Sequence, residues 1–266
     1  MGDYRTGVDA MTTLRLKSGK VALVTGAAQG IGRGCAQALA RSGFALALVD
    51  VLTQELARTA TEIRESGVDV LTFEADVTDY ERAHTVVRET VSHFGKVDFL
   101  LNNAGKSAPA GILDITEAEF DRTLSINLKS CFNYIRAVAP VMLGQGGGRI
   151  VSMSSLNAHS GGVTAAVSRF AYAAAKAGIL GLTRALAKEL GPTILVNAIC
   201  PGMIETELTK HVVLSERGAD LVRNGIALHR VGTTDDIAQL VVFLAMSEPC
   251  FITGQDFVVD GLQYHL

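Results

Sequence analysis

The stretch Lys20-Val-Ala-Leu-Val-Thr25-Gly26-Ala-Ala-Gln-Gly30-Ile-Gly32 decides the fold. Its first part, residues 20–25, is a short apolar and β-branched run, typical of a strand buried on both faces of a parallel sheet. The glycine-rich turn leads directly into a predicted helix over 33–42. Glycines let the backbone approach a ligand, and the free N–H groups at a helix start favour an anion. The stretch therefore predicts a phosphate-binding turn at the start of an α/β unit.

Predicted strands and helices alternate along the rest of the chain. The further strands are 44–50, 68–74, 97–101, 149–154, 193–199 and 252–261, and the further helices are 53–66, 79–94, 120–143, 171–190 and 233–246. Strands separated by helical segments of about 10 to 15 residues imply right-handed βαβ units and a parallel sheet. The sequence therefore predicts a single doubly wound α/β domain of Rossmann type, with helices on both faces.

An acidic residue ends the second predicted strand. Asp50 follows Gly32 by 18 residues, close to the roughly 20 at which such folds place the carboxylate that binds the adenosine ribose. A carboxylate there accepts bonds from the ribose hydroxyls and repels a 2′-phosphate. Gln29 stands where a basic residue would help to bind that phosphate, and no Arg or Lys follows Asp50 until Arg58. Both observations favour NAD over NADP.

A tyrosine stands four residues before a lysine inside the predicted helix 171–190, at Tyr172 and Lys176. Residues four apart lie on one face of a helix, so the phenol and the ammonium point the same way. A cation beside a phenol favours the phenolate and lowers a pKa that is otherwise about 10. The pair is a candidate proton donor and acceptor, although helices also carry such pairs by chance. Asn127 is a second unusual residue, because Asn is a poor choice inside a helix.

Composition narrows the class of protein. The net charge of −3 and pI near 6.1 give no reason to expect nucleic acid or an anionic membrane as a partner. No apolar run approaches the roughly 20 residues that span a bilayer. Residues 1–18 are predicted to be a flexible extension without a signal-like apolar core, and 19–266 a single domain. The four cysteines resemble reduced core residues of a cytosolic protein, and the six histidines lack ligand spacing, so no metal site is predicted.

Over residues 19–262 the chain resembles the short-chain dehydrogenase/reductase family. The matching motifs, in chain order, are Thr25-Gly26-x-x-x-Gly30-x-Gly32, Asn102-Asn103-Ala104-Gly105, Asn127, a serine after the fifth strand, Tyr172-x-x-x-Lys176 and Pro201-Gly202. Each motif is modest alone, but all of them occur in order at family-like spacing. The resemblance implies a sheet of about seven strands, a nicotinamide cofactor and a small-molecule substrate. It also implies a cytoplasmic homo-oligomer, commonly a tetramer joined through the two long helices and the last strand.

The resemblance also implies roles for particular residues. Tyr172 would be the general acid/base, and Lys176 would favour its phenolate and bind the nicotinamide ribose. A serine would bond the substrate oxygen, and the strand-to-serine pattern favours Ser155 over Ser154. Asn127 would hold a water that connects Lys176 to solvent, which would explain an Asn inside a helix. The expected cofactor contacts are Gly26, Gln29, Gly30, Ile31, Gly32, Asp50, Asp76, Val77, Asn103, Ala104, Gly105, Tyr172, Lys176, Pro201, Gly202, Ile204 and Thr206.

The segment between the serine and Tyr172 departs from many relatives. Its 16 residues, 156–171, form a loop a few residues longer than expected, which should reshape the substrate pocket. Asn157 and His159 in this loop are candidate substrate contacts, although a lone His is more often a loop or surface residue. Glu205, beside the Pro-Gly turn, is a third candidate. Residues 206–228 are less apolar and less regular than the rest, and we interpret the segment around 203–229 as a flap over the substrate.

The predicted reaction interconverts a secondary alcohol and a ketone on a small or medium polar metabolite. A sugar, sugar acid or polyol is favoured because NAD is expected and residues 157–160 are polar. A 3-oxoacyl-thioester (acyl-carrier-protein) reductase is the alternative enzyme, which would usually prefer NADP and a basic residue near Gln29. A nucleotide-sensing protein without turnover is the alternative of another class.

Overall fold

The computed structural model describes residues 19–162, 168–207 and 209–263. The predicted extension over 1–18 and part of the long loop, 163–167, lie outside the described residues. Within the described ranges, no helix is both long enough and apolar enough to cross a membrane.

One parallel sheet forms the centre of the molecule. Its strands are β1 (Val21–Thr25), β2 (Ala45–Asp50), β3 (Val70–Glu74), β4 (Phe99–Asn102), β5 (Gly148–Met153), β6 (Ile194–Pro201) and β7 (Asp256–Val259). They lie in the order β3-β2-β1-β4-β5-β6-β7, and every neighbouring pair is parallel. The order reverses direction between β1 and β4, so both strands end beside one crevice at the carboxyl edge. The predicted doubly wound sheet is confirmed.

Helices cover both faces of this sheet. They are α1 (Gly30–Arg41), α2 (Thr53–Glu65), α3 (Tyr80–Phe94), α4 (Glu117–Leu124), α5 (Ser130–Gly144), α6 (Asn157–Ser160), α7 (Phe170–Leu190), α8 (Lys210–Val213), α9 (Glu216–Asn224) and α10 (Thr234–Met246). One apolar cluster packs α1, α2 and α10 on the first face, and a second packs α3, α5 and α7 on the other. Alternate residues of a strand point to opposite faces, so Leu23 and Val24 of β1 belong to different clusters.

The start of α10 is fixed by side chains. Thr233 accepts the backbone N–H of Asp236 at 3.3 Å, and the Asp236 carboxylate accepts the N–H of Thr233 at 2.7 Å, which is a capping box. Arg230 donates to both oxygens of the same carboxylate, at 2.7 and 2.9 Å. The hydrogen bonds from Arg230, and to a smaller extent those from Thr233, hold the pKa of Asp236 well below its usual range.

Two helix predictions were wrong in their bounds. The predicted helix 33–42 begins earlier, at Gly30, and ends at Arg41. The predicted single helix 120–143 is divided into α4, a π-helical turn at Ser125–Lys129, and α5. A π turn inserts one extra residue into a helix and is often found at functional sites. Asn127 lies in this turn.

Two other segments also differ from the sequence-based expectation. The last strand covers only Asp256–Val259 of the predicted 252–261. The segment 206–228, predicted to be irregular, contains α8 and α9. Ser215 caps α9 by accepting the N–H of Gly218 at 3.1 Å, a local signal that the apolar pattern does not reveal.

Candidate active site

The glycine-rich turn lies between the ends of β1 and β4. Gly26 has φ +66°, and a Cβ there would lie 2.8 Å from both the Cα of Ala104 and Nδ2 of Asn103. A Cβ on Gly32 would collide with the carbonyl oxygen of Gly26. Only glycine is compatible with these approaches, and Gly30 adds a second left-handed position at φ +55°. The bare backbone at the start of α1 is a cradle suited to an anionic group such as a pyrophosphate.

Asn103 holds this cradle in place. Its Nδ2 donates to the carbonyl oxygens of Thr25 and Gly26 at 3.1 and 3.0 Å. The backbone N–H groups of Asn103 and Ala104 both donate to the Thr25 hydroxyl, at 3.0 and 3.2 Å. Asn103 was predicted to contact a cofactor, and in the structure its side chain braces the turn that would receive one.

Asp50 is fixed against the same turn. One carboxylate oxygen accepts the N–H of Ala28 at 3.0 Å, and the other accepts the N–H of Leu52 at 3.0 Å. The residue ends β2, beside the turn that follows β1. The carboxylate therefore stands at the position that the sequence spacing predicts for a ribose-binding acid.

Two of the predicted cofactor contacts, Asp76 and Val77, follow β3. Asp76 accepts the N–H and the hydroxyl of Thr78 at 2.9 and 2.7 Å, and Arg122 lies 3.6 Å away. Burial raises the pKa of Asp76, but these bonds and the Arg122 charge outweigh it, so that the pKa lies below its usual value. The side chain of Val77 is buried, and its carbonyl oxygen accepts from Asn133 at 3.0 Å.

Tyr172 and Lys176 lie together on α7, as their spacing predicts. The Lys176 ammonium is 5.5 Å from the centre of the Tyr172 ring. It donates to the carbonyl oxygen of Met153 at 2.8 Å, at the end of β5, and the lysine side chain is buried. The phenol is half-buried. A buried cation therefore stands next to a partly accessible phenol at the carboxyl edge of the sheet.

The π turn carries Asn127 into the same region. Its Oδ1 accepts the N–H of Lys106 at 3.1 Å, and its Nδ2 donates to the carbonyl oxygens of Lys106 and Thr123 at 3.0 and 3.1 Å. A Cβ on Gly105 would lie 2.9 Å from Asn127 Oδ1 and 3.4 Å from Lys176 Nζ. Asn127 therefore joins the loop after β4 to the lysine, and its predicted role in holding a water stays a prediction.

The two candidate serines differ in their surroundings. Ser154 is buried, and its hydroxyl donates to the carbonyl oxygen of Lys176 at 2.8 Å. Ser155 is half-buried, and its hydroxyl accepts the N–H of Asn157 at 3.2 Å. Ser155 is thus the more accessible of the two.

The segment after β6 closes over the glycine-rich turn. The carbonyl oxygen of Pro201 accepts the N–H of Leu156, and Gly202 donates to β7. The predicted contact Ile204 has its side chain buried in the core, so that only its backbone can face a cofactor. The methyl group of Thr206 lies 3.4 Å from a Cβ position on Gly30.

Glu207 also contacts the turn, and sequence reasoning missed it. Its Oε2 accepts the N–H of Gly30 at 3.0 Å, at the first residue of α1. No motif marks this residue, because the contact joins positions 177 residues apart.

The three predicted substrate contacts lie in different settings. Nδ2 of Asn157 donates to the Ser168 carbonyl oxygen at 3.5 Å, and Glu205 is exposed. Nε2 of His159 lies 3.0 Å from Oδ2 of Asp256, at the start of β7. His159 is therefore directed toward the sheet edge, where it also meets Cys200. Sequence spacing gave no sign of this cluster, because the fold brings its members together.

The glycine cradle, the carboxylate of Asp50 and the Tyr172–Lys176 pair share the carboxyl edge of one doubly wound sheet. An α/β fold with this set of residues defines a nicotinamide-dependent oxidoreductase. A cofactor cradle and a proton-transfer pair at one edge are what such an enzyme requires.

Comparison with known proteins places the chain in a family. A family model described as enoyl-(acyl carrier protein) reductase matches residues 26–261. The 3-oxoacyl-[acyl-carrier-protein] reductase FabG of Staphylococcus aureus is 38% identical over 94% of this chain and 100% of its own length. The corresponding protein of Thermotoga maritima is 36% identical over 91% of this chain and 97% of its own. The chain belongs to the short-chain dehydrogenase/reductase family, whose members use NAD(P).

A solved structure agrees with this assignment. The crystal structure of 7α-hydroxysteroid dehydrogenase complexed with NADH and 7-oxo glycochenodeoxycholic acid superposes with a TM-score of 0.85 at 31% identity. The match covers 91% of this chain and 93% of that one.

Proposed function

We propose that this enzyme transfers hydride between NAD(H) and a carbon that is alternately a ketone and a secondary alcohol. The observation that carries the proposal is the Tyr172–Lys176 pair, with the ammonium 5.5 Å from the ring, beside a glycine cradle. The cofactor supplies the hydride chemistry, and the protein supplies the proton and the orientation.

The residues of the chain fit a dinucleotide. A Cβ at Gly26 or Gly32 would collide with the backbone or side chains around the turn, so the turn keeps its close packing only with glycine at these positions. The N–H groups at the start of α1 suit a pyrophosphate, and the carboxylate of Asp50 suits the two ribose hydroxyls. The backbone of Ile204 and the side chain of Thr206 are proposed to border the nicotinamide end.

Three side chains perform the proposed proton chemistry. Tyr172 protonates the nascent alkoxide in reduction and takes the alcohol proton in oxidation. Lys176, held by the Met153 carbonyl, stabilises the phenolate that results. Ser155 donates a hydrogen bond to the substrate oxygen and orients it toward Tyr172. Positioned proton transfer of this kind typically contributes ~10²- to 10⁴-fold in rate.

Replacing the phenol tests this role. Tyr172→Phe should abolish turnover while NADH affinity, measured by fluorescence titration, stays within about twofold of the wild type. Tyr134→Phe is the matched control, because that tyrosine is buried between α3 and α5, away from the cradle. Residual activity of Tyr172→Phe above a few per cent would refute the role of the phenol.

Asp50 supports a preference for NAD over NADP. Its oxygens accept the N–H groups of Ala28 and Leu52, which fixes a negative charge where a 2′-phosphate would lie. We expect NADH to bind more tightly than NADPH. Asp50→Asn should reduce the difference between the affinities for the two cofactors. Equal affinities of the wild-type enzyme for the two cofactors would contradict this reading.

The relatives favour the alternative substrate over the one we expected. The sequence suggested a sugar, sugar acid or polyol, yet the relatives at 36–38% identity are named 3-oxoacyl-[acyl-carrier-protein] reductases. We therefore propose a 3-oxoacyl thioester as the substrate class, in combination with NADH. Acetoacetyl thioesters should be reduced at least tenfold faster, by kcat/KM, than ketose sugars, with the consumption of NADH followed by absorbance. Faster turnover of the sugars would restore the first expectation.

We also propose that the enzyme is a homo-oligomer, with a tetramer favoured. Apolar side chains on two surfaces support this proposal. Phe132 of α5 is 46% exposed beside Leu128 and α7, and Val258 of β7 is 41% exposed. Light scattering at micromolar concentration tests it, and a monomeric mass would refute it.

A further inference from the structure

Three side chains capable of binding a metal meet behind the candidate serine. His159 comes from α6, Cys200 from β6 and Asp256 from the start of β7, separated by 41 and 56 residues along the chain. Each offers one ligand atom, and the three atoms lie within 4.8 Å of one another. Nitrogen, sulfur and carboxylate oxygen together form a ligand set typical of zinc.

The spacing of these atoms is close to that of a tetrahedral site. Bonds of about 2.0–2.3 Å place two ligands of zinc roughly 3.3–3.6 Å apart. Nε2 of His159 and Oδ2 of Asp256 are already 3.0 Å apart. The sulfur of Cys200 has to approach by no more than roughly 1.2 Å, which is within the range of a side-chain adjustment.

A neighbouring arginine orients the carboxylate of this cluster. Arg184 donates to Oδ1 of Asp256 at 2.6 Å and leaves Oδ2 directed toward His159, as a supporting residue around a metal ligand does.

Charge balance distinguishes a dication from other ligands. A thiolate, a carboxylate and a neutral imidazole carry a total charge of −2, which a divalent cation neutralises. Cys200 is fully buried, and the side chains of His159 and Asp256 are 25% and 16% exposed. A neutral ion–ligand set is the form that such a weakly solvated position tolerates.

We propose that His159, Cys200 and Asp256 bind one zinc ion, which fastens α6 to the end of β6 and the start of β7. Binding forms a Zn–S bond and releases the proton of the Cys200 thiol to solvent. The ion holds the loop that follows Ser155, so that it positions the wall of the substrate pocket. His159 then acts as a metal ligand and not as a substrate contact.

Metal titration of the full chain tests this site without reference to activity. Protein freed of metal by a chelator is titrated with Zn²⁺ in competition with a chromophoric chelator, and with Co²⁺ in the near-ultraviolet. We expect one zinc per chain with sub-micromolar affinity, about one proton released per ion at pH 7, and a thiolate-to-cobalt absorption band. Cys200→Ser should remove the band and weaken zinc binding about 100-fold. Cys35→Ser, at a buried cysteine outside the cluster, should leave both unchanged.

Two outcomes would overturn the proposal. One is the absence of stoichiometric zinc binding at micromolar concentration, and the other is equal binding by the Cys200→Ser and Cys35→Ser variants. If Cys200→Ser does not fold, variants of the two partly exposed ligands test the site instead. His159→Gln and Asp256→Asn must each weaken zinc binding at least tenfold. Unchanged affinity in either variant would refute the site.

Discussion

Glu207 occupies the place where the glycine-rich turn should receive a phosphate. Its carboxylate accepts the N–H of Gly30 at 3.0 Å, at the first residue of α1. An anionic pyrophosphate at the same N–H groups has to displace this carboxylate. Glu207→Gln should therefore increase the affinity of the enzyme for NADH.

The size of the effect follows from the setting of the carboxylate. Glu207 is exposed, and an exposed carboxylate at a helix N-terminus is stabilised by about 0.3–1 kcal/mol. Losing that stabilisation from the cofactor-free state should lower the dissociation constant for NADH roughly two- to fivefold, since 1.36 kcal/mol corresponds to tenfold. The difference should shrink in about 1 M salt, where the screening length falls to roughly 3 Å.

Fluorescence titration with NADH, in the absence of substrate, measures this constant. Glu205→Gln is the matched control, because it removes the same charge two positions away and its backbone, not its side chain, is bonded to Gly232. An unchanged or weaker affinity in Glu207→Gln, or an equal gain in Glu205→Gln, would refute the reasoning.

Three further predictions concern the serines, the π turn and the start of α10. Ser155→Ala should lower kcat far more than Ser154→Ala in steady-state assays, and the reverse would exchange their roles. Asn127→Ala removes three hydrogen bonds of a buried side chain, each worth about 1 kcal/mol, so urea unfolding should show a loss of about 3 kcal/mol in the free energy of unfolding. A loss below about 1 kcal/mol would contradict this. Arg230→Ala should lower the free energy of unfolding at pH 7, because the Asp236 carboxylate loses its ion-pair partner. The pKa of Asp236 is depressed in the folded protein, so the destabilisation by Arg230→Ala should shrink as the pH falls below about 4 and the carboxylate is protonated. A destabilisation that does not depend on pH would contradict the role of the Arg230–Asp236 ion pair.

The sheet and its helices were predictable because their signals are local. Each central strand is an apolar run, and the glycine-rich turn at Gly26–Gly32 predicts both a phosphate-binding site and the start of a helix. The Tyr172–Lys176 pair was visible because both members lie on one helix. Helical spacing alone brings the two side chains together.

What the sequence did not reveal depends on contacts between distant segments. The π turn at Ser125–Lys129 follows from the packing of Asn127 against Lys106, which no helical period encodes. His159 and Cys200 come from elements that become neighbours only when the sheet is complete. The order of the strands, and not the composition of any one segment, creates these contacts.

The bond between Asn103 and the glycine-rich turn joins residues separated by 77 positions. β1 therefore gains its second neighbour, β4, only after most of the first half of the chain has been made. During synthesis, the hydrogen bonds from Asn103 to the glycine-rich turn cannot form until β4 and the residue after it have left the ribosome. A fragment that ends before β4 should leave one edge of β1 unpaired, so that such a fragment of this enzyme should be prone to aggregation.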